Sequence, residues 1–243
     1  MVSKNQIKLI RSLQQKKFRK QYSLFIAEGV KVIQELLKAD YELVNLYVTE
    51  PIFTDINASK RVEISNSDLE KITALKTSNN CLAVFKIPEQ NFTQSSDLKI
   101  ALDDVRDPGN MGTILRLCDW FGITELICSE DTVDLYNPKV VQATMGSIAR
   151  VNVVYTDLNA YLSKVNVPVF GTFMDGDTIY KSKLPNAGII VMGNEANGIS
   201  KEIENLCSHR IAIPRFGNLQ VTESLNVATA TAIILSEFKR NDA

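Results

Sequence analysis

From residue 99 to the end of the chain, short apolar runs alternate with segments of helical periodicity, and that order constrains the fold more than any other feature of the sequence. The runs at 99–105, 125–128, 151–155, 168–174, 188–192 and 210–213 read as strands, and 111–121, 138–148, 158–165, 201–207 and 223–239 read as helices. Strands separated by helices pair in parallel, and the helices then cover both faces of the sheet. The expected architecture is therefore α/β with a mostly parallel sheet. In such sheets ligands bind beyond the carboxyl ends of the strands.

The residues before 99 read as a smaller α/β unit. A basic helical segment opens the chain, Val30, Val32, Ile33, Leu36 and Leu37 mark an amphipathic helix, strand signals fall at 43–49, 61–64 and 81–87, and a polar helix starts near Ser67. The stretch PEQNFTQSSD at 88–97 is polar, contains a proline and follows neither period. These features divide the chain into a small domain at 1–90, a linker at 91–98 and a larger domain at 99–243.

A net charge of −1 over 243 residues excludes neither an enzyme nor a binding module. The distribution says more: residues 1–96 carry 14 basic and 10 acidic side chains, against 13 and 18 in 97–243. Residues 1–20 hold seven Lys or Arg and no acid, which makes Lys16, Lys17, Arg19 and Lys20 candidates for phosphate contacts, with a solvated basic helix as the alternative. Four cysteines without CxxC spacing, and no apolar leader, suggest a reduced cytoplasmic protein. No run approaches the roughly 20 apolar residues of a membrane span. His209 is the only histidine, so a multi-histidine metal site is ruled out and His209 itself reads as a surface or edge residue. Trp120 reads as core or subunit interface, and Asp103, Asp104 and Asp107 as turn and capping residues rather than a metal cluster.

Three strand-to-loop junctions concentrate Gly, Asn, Pro and single charges. In DDVRDPGNMGTILR (103–116), Gly109 permits an unusual backbone angle, Asn110 is positioned to cap a helix, and Arg116 falls in that helix's second turn. In VMGNEANGIS (191–200), glycines at 193 and 198 allow close approach to the backbone. Their spacing is not that of a phosphate loop, and Glu195 would repel a pyrophosphate, while a site for a cationic, phosphate-free cofactor remains open. In IAIPRFGNLQVTESLNVA (211–228), Ser224 and Asn226 are available to cap the last helix.

In this order and at these separations, DPGNMGTILR, MGNEANGIS and ESLNVATATAI resemble motifs one, two and three of the SpoU (TrmH-like) RNA 2′-O-ribose methyltransferases of the SPOUT superfamily, a likeness spanning about residues 97–243. FIAEG at 25–29 resembles the FxxEG segment of the small ribosomal-protein-like substrate-binding domain often fused ahead of that catalytic domain. The resemblance implies a trefoil-knotted, homodimeric methyltransferase domain that joins subunits and completes each site from both. It implies S-adenosylmethionine held by Thr172, Met192, Gly193, Asn194, Ile213, Pro214 and Leu225, with no metal. Arg116 would be the central catalytic residue, with Asn110, Glu195, Ser224 and Asn226 shaping the site. The substrate would be structured RNA, ribosomal in preference to transfer RNA. The loop between Ile213 and Leu225 is longer than the family's IPMxGxxxSLN pattern, with SLN intact. A non-catalytic RNA-binding or ribosome-assembly factor is the rival reading, opposed by the presence of Arg116, Glu195 and SLN. A nucleotide-dependent oxidoreductase lacks its glycine fingerprint.

Overall fold

The computed structural model describes residues 2–75, 79–89, 91–93, 97–182, 184–218 and 224–240. The chain divides into two compact units, one of residues 1–89 with 134–150 and one of residues 90–133 with 151–243.

In the first unit, α1 (Lys4–Ser12) begins with a capping box in which Ser3 Oγ accepts from Gln6 N (3.2 Å) and Gln6 Oε1 accepts from Ser3 N (2.9 Å). There follow α2 (Lys16–Tyr22), β1 (Leu24–Glu28), α3 (Val30–Lys38), β2 (Leu43–Val48), β3 (Arg61–Glu63), α4 (Asn66–Glu70) and β4 (Cys81–Lys86). The sheet order is β1-β4-β2-β3, with β4 antiparallel to both β1 and β2 and β3 parallel to β2. The basic opening is thus two helices, and 24–28 is a strand that periodicity does not reveal. Phe25 to Glu28 are all buried, so no alternation marks them. Glu28 is accommodated because its carboxylate accepts from Thr73 Oγ1 (2.5 Å) and Ala74 N (2.8 Å), although burial still raises its pKa.

The second unit contains β5 (Leu98–Leu102), α5 (Pro108–Trp120) and β6 (Glu125–Ser129). After the excursion that holds α6 (Pro138–Ala143), it continues with β7 (Asn152–Thr156), α7 (Leu158–Leu162), β8 (Val169–Thr178), β9 (Gly188–Met192), α8 (Lys201–Glu204), β10 (His209–Ala212) and α9 (Val227–Phe238). Six strands form one sheet in the order β10-β8-β9-β5-β6-β7, and every neighbouring pair is parallel. Leu158 and Leu162 of α7 and Ile203 of α8 join Ala101, Ile127, Ile189 and Val191 of the sheet in one core cluster, while α5 lies against α9. From β5 the chain steps outward to β6 and β7, whereas β9, β8 and β10 lie on the other side. The order therefore reverses between β5 and β9, the position at which open α/β sheets bind ligands.

At the amino end of this sheet, Glu125 is fully buried and pairs with Lys99 Nζ (2.5 Å). The same carboxylate accepts from Thr93 N (2.6 Å) and Asn152 Nδ2 (3.0 Å), and Asn152 Nδ2 also donates to Asn91 O (2.9 Å). Phe92 stacks on Tyr161, with ring centroids 5.0 Å apart. The polar segment at 91–93 is thereby fastened to the sheet.

Residues 134–150 cluster with the first unit although they follow β6. The helix expected over 138–148 stops at Ala143, because Met145 (φ 52°) and Gly146 (φ 102°) turn the chain before a short 3-10 helix at Ser147–Ala149. Glycine is required at 146, since a Cβ there would lie 2.9 Å from Glu35 Cβ of α3. Tyr136 packs its ring on Phe25 at 4.6 Å, and Arg150 pairs with Glu35.

Arg19 is a correction to the expected phosphate contacts. It is 2% exposed, and its guanidinium donates to Leu13 O (2.7 Å) and, through Nε (2.8 Å) and Nη2, to Asp134. An arginine so engaged ties α2 to the 134–150 segment and has no donor turned to solvent for RNA, whereas Lys16, Lys17 and Lys20 are exposed. Replacing Arg19 by alanine leaves Asp134 without its cation, and we expect a loss of about 2 kcal/mol in urea unfolding. Lys20→Ala, on the exposed side of the same helix, should stay within about 0.5 kcal/mol of the parent. Equal effects of the two changes would show that the buried pair is not what holds α2.

Candidate active site

The carboxyl edge of the sheet at β5 and β9 is organised by carboxylates and amides from three loops. After β5, Asp104 takes a left-handed backbone (φ 58°), and Asp107 caps α5 by accepting from Asn110 N (2.8 Å), with Pro108 in the first helical turn. The cap is Asp107 rather than Asn110. The sequence carries the signal, an Asp immediately before a helix-starting Pro, and the consequence is that the Asn110 side chain is left for other partners.

Those partners come from the other two loops. Asn110 Nδ2 donates to Glu195 Oε1 (2.9 Å), and Asn110 Oδ1 accepts from Asn226 Nδ2 (2.8 Å). Glu195 also accepts from the backbone N–H groups of Arg106 and Asp107, both at 3.3 Å. Asn226 spends its own Oδ1 capping α9, accepting from Ala228 N (2.9 Å) and Thr229 N (3.2 Å). The last helix therefore starts after Asn226, not near residue 223, and residues 219–223 lie outside the described residues. Desolvation tends to raise the Glu195 pKa, but the hydrogen bonds from Asn110 and the loop N–H groups outweigh it and hold the carboxyl below its ordinary value. Glu195 is consequently an anion at neutral pH and a weak proton acceptor.

The loop after β9 is folded against itself. Asn194 and Gly198 exchange both backbone hydrogen bonds at 2.9 Å, and Asn194 Oδ1 accepts from Ala196 N (2.9 Å) and Asn197 N (3.1 Å). Asn194 Nδ2 reaches across to Asp104 O (2.7 Å), and Asp103 Oδ2 accepts from Ser200 N (2.7 Å). A Cβ at Gly193 would come within 2.3 Å of Gly198 C, so the close approach that this glycine permits is by the chain itself. Asp103, Asp104 and Asp107 are thus committed to turns and a cap. No group of three His, Cys, Asp or Glu suited to a metal occurs among the described residues.

The remaining expected site residues lie along the same carboxyl edge. Thr172 Oγ1 donates to Val191 O (2.9 Å), Met192 is buried, Ile213 and Pro214 are half-buried, and Ser224 and Leu225 are exposed. Arg116 stands apart from the Asn110–Glu195–Asn226 network. It projects from α5 in a stripe with Gly109, Thr113 and Trp120, is exposed, and makes no hydrogen bond or ion pair among the described residues. Trp120 is 84% exposed, which removes it from this unit's core. His209, at the sheet edge, stacks on Phe170.

A profile described as the SpoU rRNA Methylase family matches residues 97–236, and one described as the MRM3-like substrate binding domain matches residues 4–83. The 23S rRNA (guanosine(2553)-2′-O)-methyltransferase RlmP of Bacillus subtilis is 27% identical over 242 residues, covering 96% of each chain. Among solved structures, a protein assigned to the TrmH family of RNA methyltransferases from Porphyromonas gingivalis superposes with a TM-score of 0.90 at 39% identity, over 99% of both chains. An AdoMet-bound rRNA methyltransferase from Sinorhizobium meliloti does so with a TM-score of 0.87 at 27% identity, over 99% of this chain and 97% of its own.

Proposed function

The chain belongs to the SpoU rRNA methylase family, and from that premise we propose that it transfers a methyl group from S-adenosylmethionine to a ribose 2′-hydroxyl, with ribosomal RNA as the substrate. The observation that carries this reading is the coupling of Asn110, Glu195 and Asn226 at the reversal of the sheet, with Arg116 exposed further along the same helix and making no hydrogen bond or ion pair among the described residues. The likeness to an enzyme named for 23S rRNA runs through both units, which favours ribosomal over transfer RNA.

The residues on this edge suit the cofactor. Ile213, Pro214 and Leu225 offer apolar surface beside the buried Met192, and no glycine-rich phosphate cradle accompanies them. The anionic Glu195 suits a cationic ligand. When bound, S-adenosylmethionine supplies a methyl carbon on a positively charged sulfur. Glu195 fixes the N–H groups of 106 and 107 and the Asn110 amide, and so steadies the first turn of α5, the helix that carries Arg116. A guanidinium offers donors and no acceptor, so we assign Arg116 to holding the RNA phosphate and the developing alkoxide rather than to taking the hydroxyl proton. Ser224 and Leu225, immediately before the capping Asn226, present the edge of the site. The exposed stripe of Thr113, Arg116 and Trp120 suits cover by a second copy, in a homodimer whose sites draw on both chains.

The test is transfer of radiolabelled methyl from S-adenosylmethionine to unmodified ribosomal and transfer RNA, followed by digestion to nucleosides. The expected result is label in a 2′-O-methyl nucleoside of ribosomal RNA. Label in a methylated base, or in transfer RNA alone, would overturn the proposal in its substrate or its chemistry.

A further inference from the structure

Within β8, the register with β10 jumps between Gly171 and Asp177. Gly171 is in register with Arg210, and Asp177 is in register with Ile211, the very next residue of β10, so residues 172–176 stand out as an arch at the carboxyl edge. The arch is held at several points. Thr172 Oγ1 donates to Val191 O, the Arg210 guanidinium lies 3.7 Å from the centre of the Phe173 ring, and Arg210 Nη2 donates to Asp175 at 2.6 Å. Gly176 presses on the backbone of β10, where a Cβ would meet Ile211 C at 2.7 Å. What this scaffold presents is Met174, 65% exposed at the crest.

The loop after β10 brings matching surface to it. Arg215 Nη2 lies 3.6 Å from Met174 Sδ, and Phe216, 77% exposed, faces Tyr180 with ring centroids 6.3 Å apart. Lys181, next in the chain after Tyr180, is exposed. The acid of the crest, Asp175, pairs with Arg210, which also pairs with Glu204 (2.6 Å), and Asp177 sits at the far foot. The result is a patch of one thioether and two aromatic rings flanked by two cations. It rises from the same edge of a parallel sheet as Glu195 and Asn110, because β8, β9, β10 and β5 all point their carboxyl ends there. None of these side chains belongs to the network described above.

We propose that Met174, Tyr180 and Phe216, with Arg215 and Lys181, form a stacking site for an unpaired nucleobase of the RNA substrate, at or beside the nucleotide to be methylated. The inference rests on the proposed methyl transfer to RNA. Single-stranded bases are recognised by aromatic faces and planar cations, with phosphates held by neighbouring positive charge, and this patch combines both on an anchored frame. A stacking site tolerates sequence, so it would select an unpaired loop over a duplex rather than one base over another.

The experiment compares the full chain with Met174→Ala, Phe216→Ala and the double variant, measuring initial rates of methyl transfer against RNA concentration at saturating S-adenosylmethionine. Cofactor affinity is measured by calorimetry, and oligomeric state by sedimentation. RNA carrying 4-thiouridine is also photocrosslinked and the attachment sites are mapped. The expected result is a KM for RNA raised roughly 10-fold in the double variant, kcat, cofactor affinity and oligomeric state unchanged, and crosslinks at Tyr180 or Phe216. Unchanged KM with wild-type crosslinks elsewhere would overturn the proposal. Weakened cofactor affinity would reassign the patch to the cofactor, and a changed oligomeric state would reassign it to a subunit contact. Failure of the parent protein to methylate any RNA would instead overturn the functional reading beneath it.

Discussion

Arg116→Ala should lower kcat for methyl transfer by about 10²–10³-fold, the range for removing one preorganised donor from a transition-state site, while the protein folds as before. The structural premise is that Arg116 is exposed on α5 and engaged by nothing among the described residues, so its removal breaks no contact within the chain. Thermal unfolding should therefore stay within about 0.5 kcal/mol of the parent. The mechanistic premise is that a fixed fork of donors aligns a phosphate and the reacting oxygen, which a lysine's single ammonium does not reproduce. Arg116→Lys should then recover only a minor part of the lost rate. Full activity in the lysine variant would show that charge alone suffices, and an alanine variant that loses stability in proportion to activity would show a structural role.

The parts of the fold that were legible in the sequence are those in which one period dominates. β9 (Gly188–Met192) is a continuous apolar run between a glycine and a polar loop, and its expected and observed bounds coincide. α6 was overextended because Val140, Val141 and Ile148 keep a helical rhythm through a sequence that the close approach of Glu35 to Gly146 forces to turn. β1 is not legible in the sequence because Phe25 to Glu28 are all buried and no alternation marks them. Arg19 shows the limit of charge counting. Seven cations in 20 residues look like a phosphate-binding face, yet one of them is matched to Asp134, distant in sequence, and only the tertiary pairing reveals it. The site divides in the same way. Glu195, Asn110 and Asn226 were visible as residue types in motifs, but the hydrogen bonds that join them depend on Asp107 taking over the cap, a local choice that frees an amide for a long-range use.

The largest stability effect should come from the opposite end of the same sheet. Glu125 is fully buried, with Lys99 Nζ, Thr93 N and Asn152 Nδ2 all directed at its carboxylate. Removing one member of a buried pair strands the other, and Glu125→Ala should destabilise the second unit by about 3–5 kcal/mol. Replacing both charges with apolar residues of similar volume, Lys99→Met with Glu125→Leu, should recover much of that loss, since the penalty lies mainly in the uncompensated charge. The two N–H donors still left without an acceptor limit the recovery. Burial works to raise the Glu125 pKa, but the hydrogen bonds from Lys99 and Thr93 prevail and hold it below the ordinary glutamate value. As pH falls, the unfolded chain takes up this proton before the folded one, so the pair's contribution is present above about pH 4.3 and is lost as pH drops through the lower folded value. Urea midpoints of the parent should thus decline below that pH more steeply than those of the double variant, compared at equal protein concentration. Parallel decline in both would mean that other carboxylates govern acid unfolding. A Glu125→Ala protein as stable as its parent would mean that the sheet's amino end holds residues 91–93 without the ion pair, through the stacking of Phe92 on Tyr161 alone.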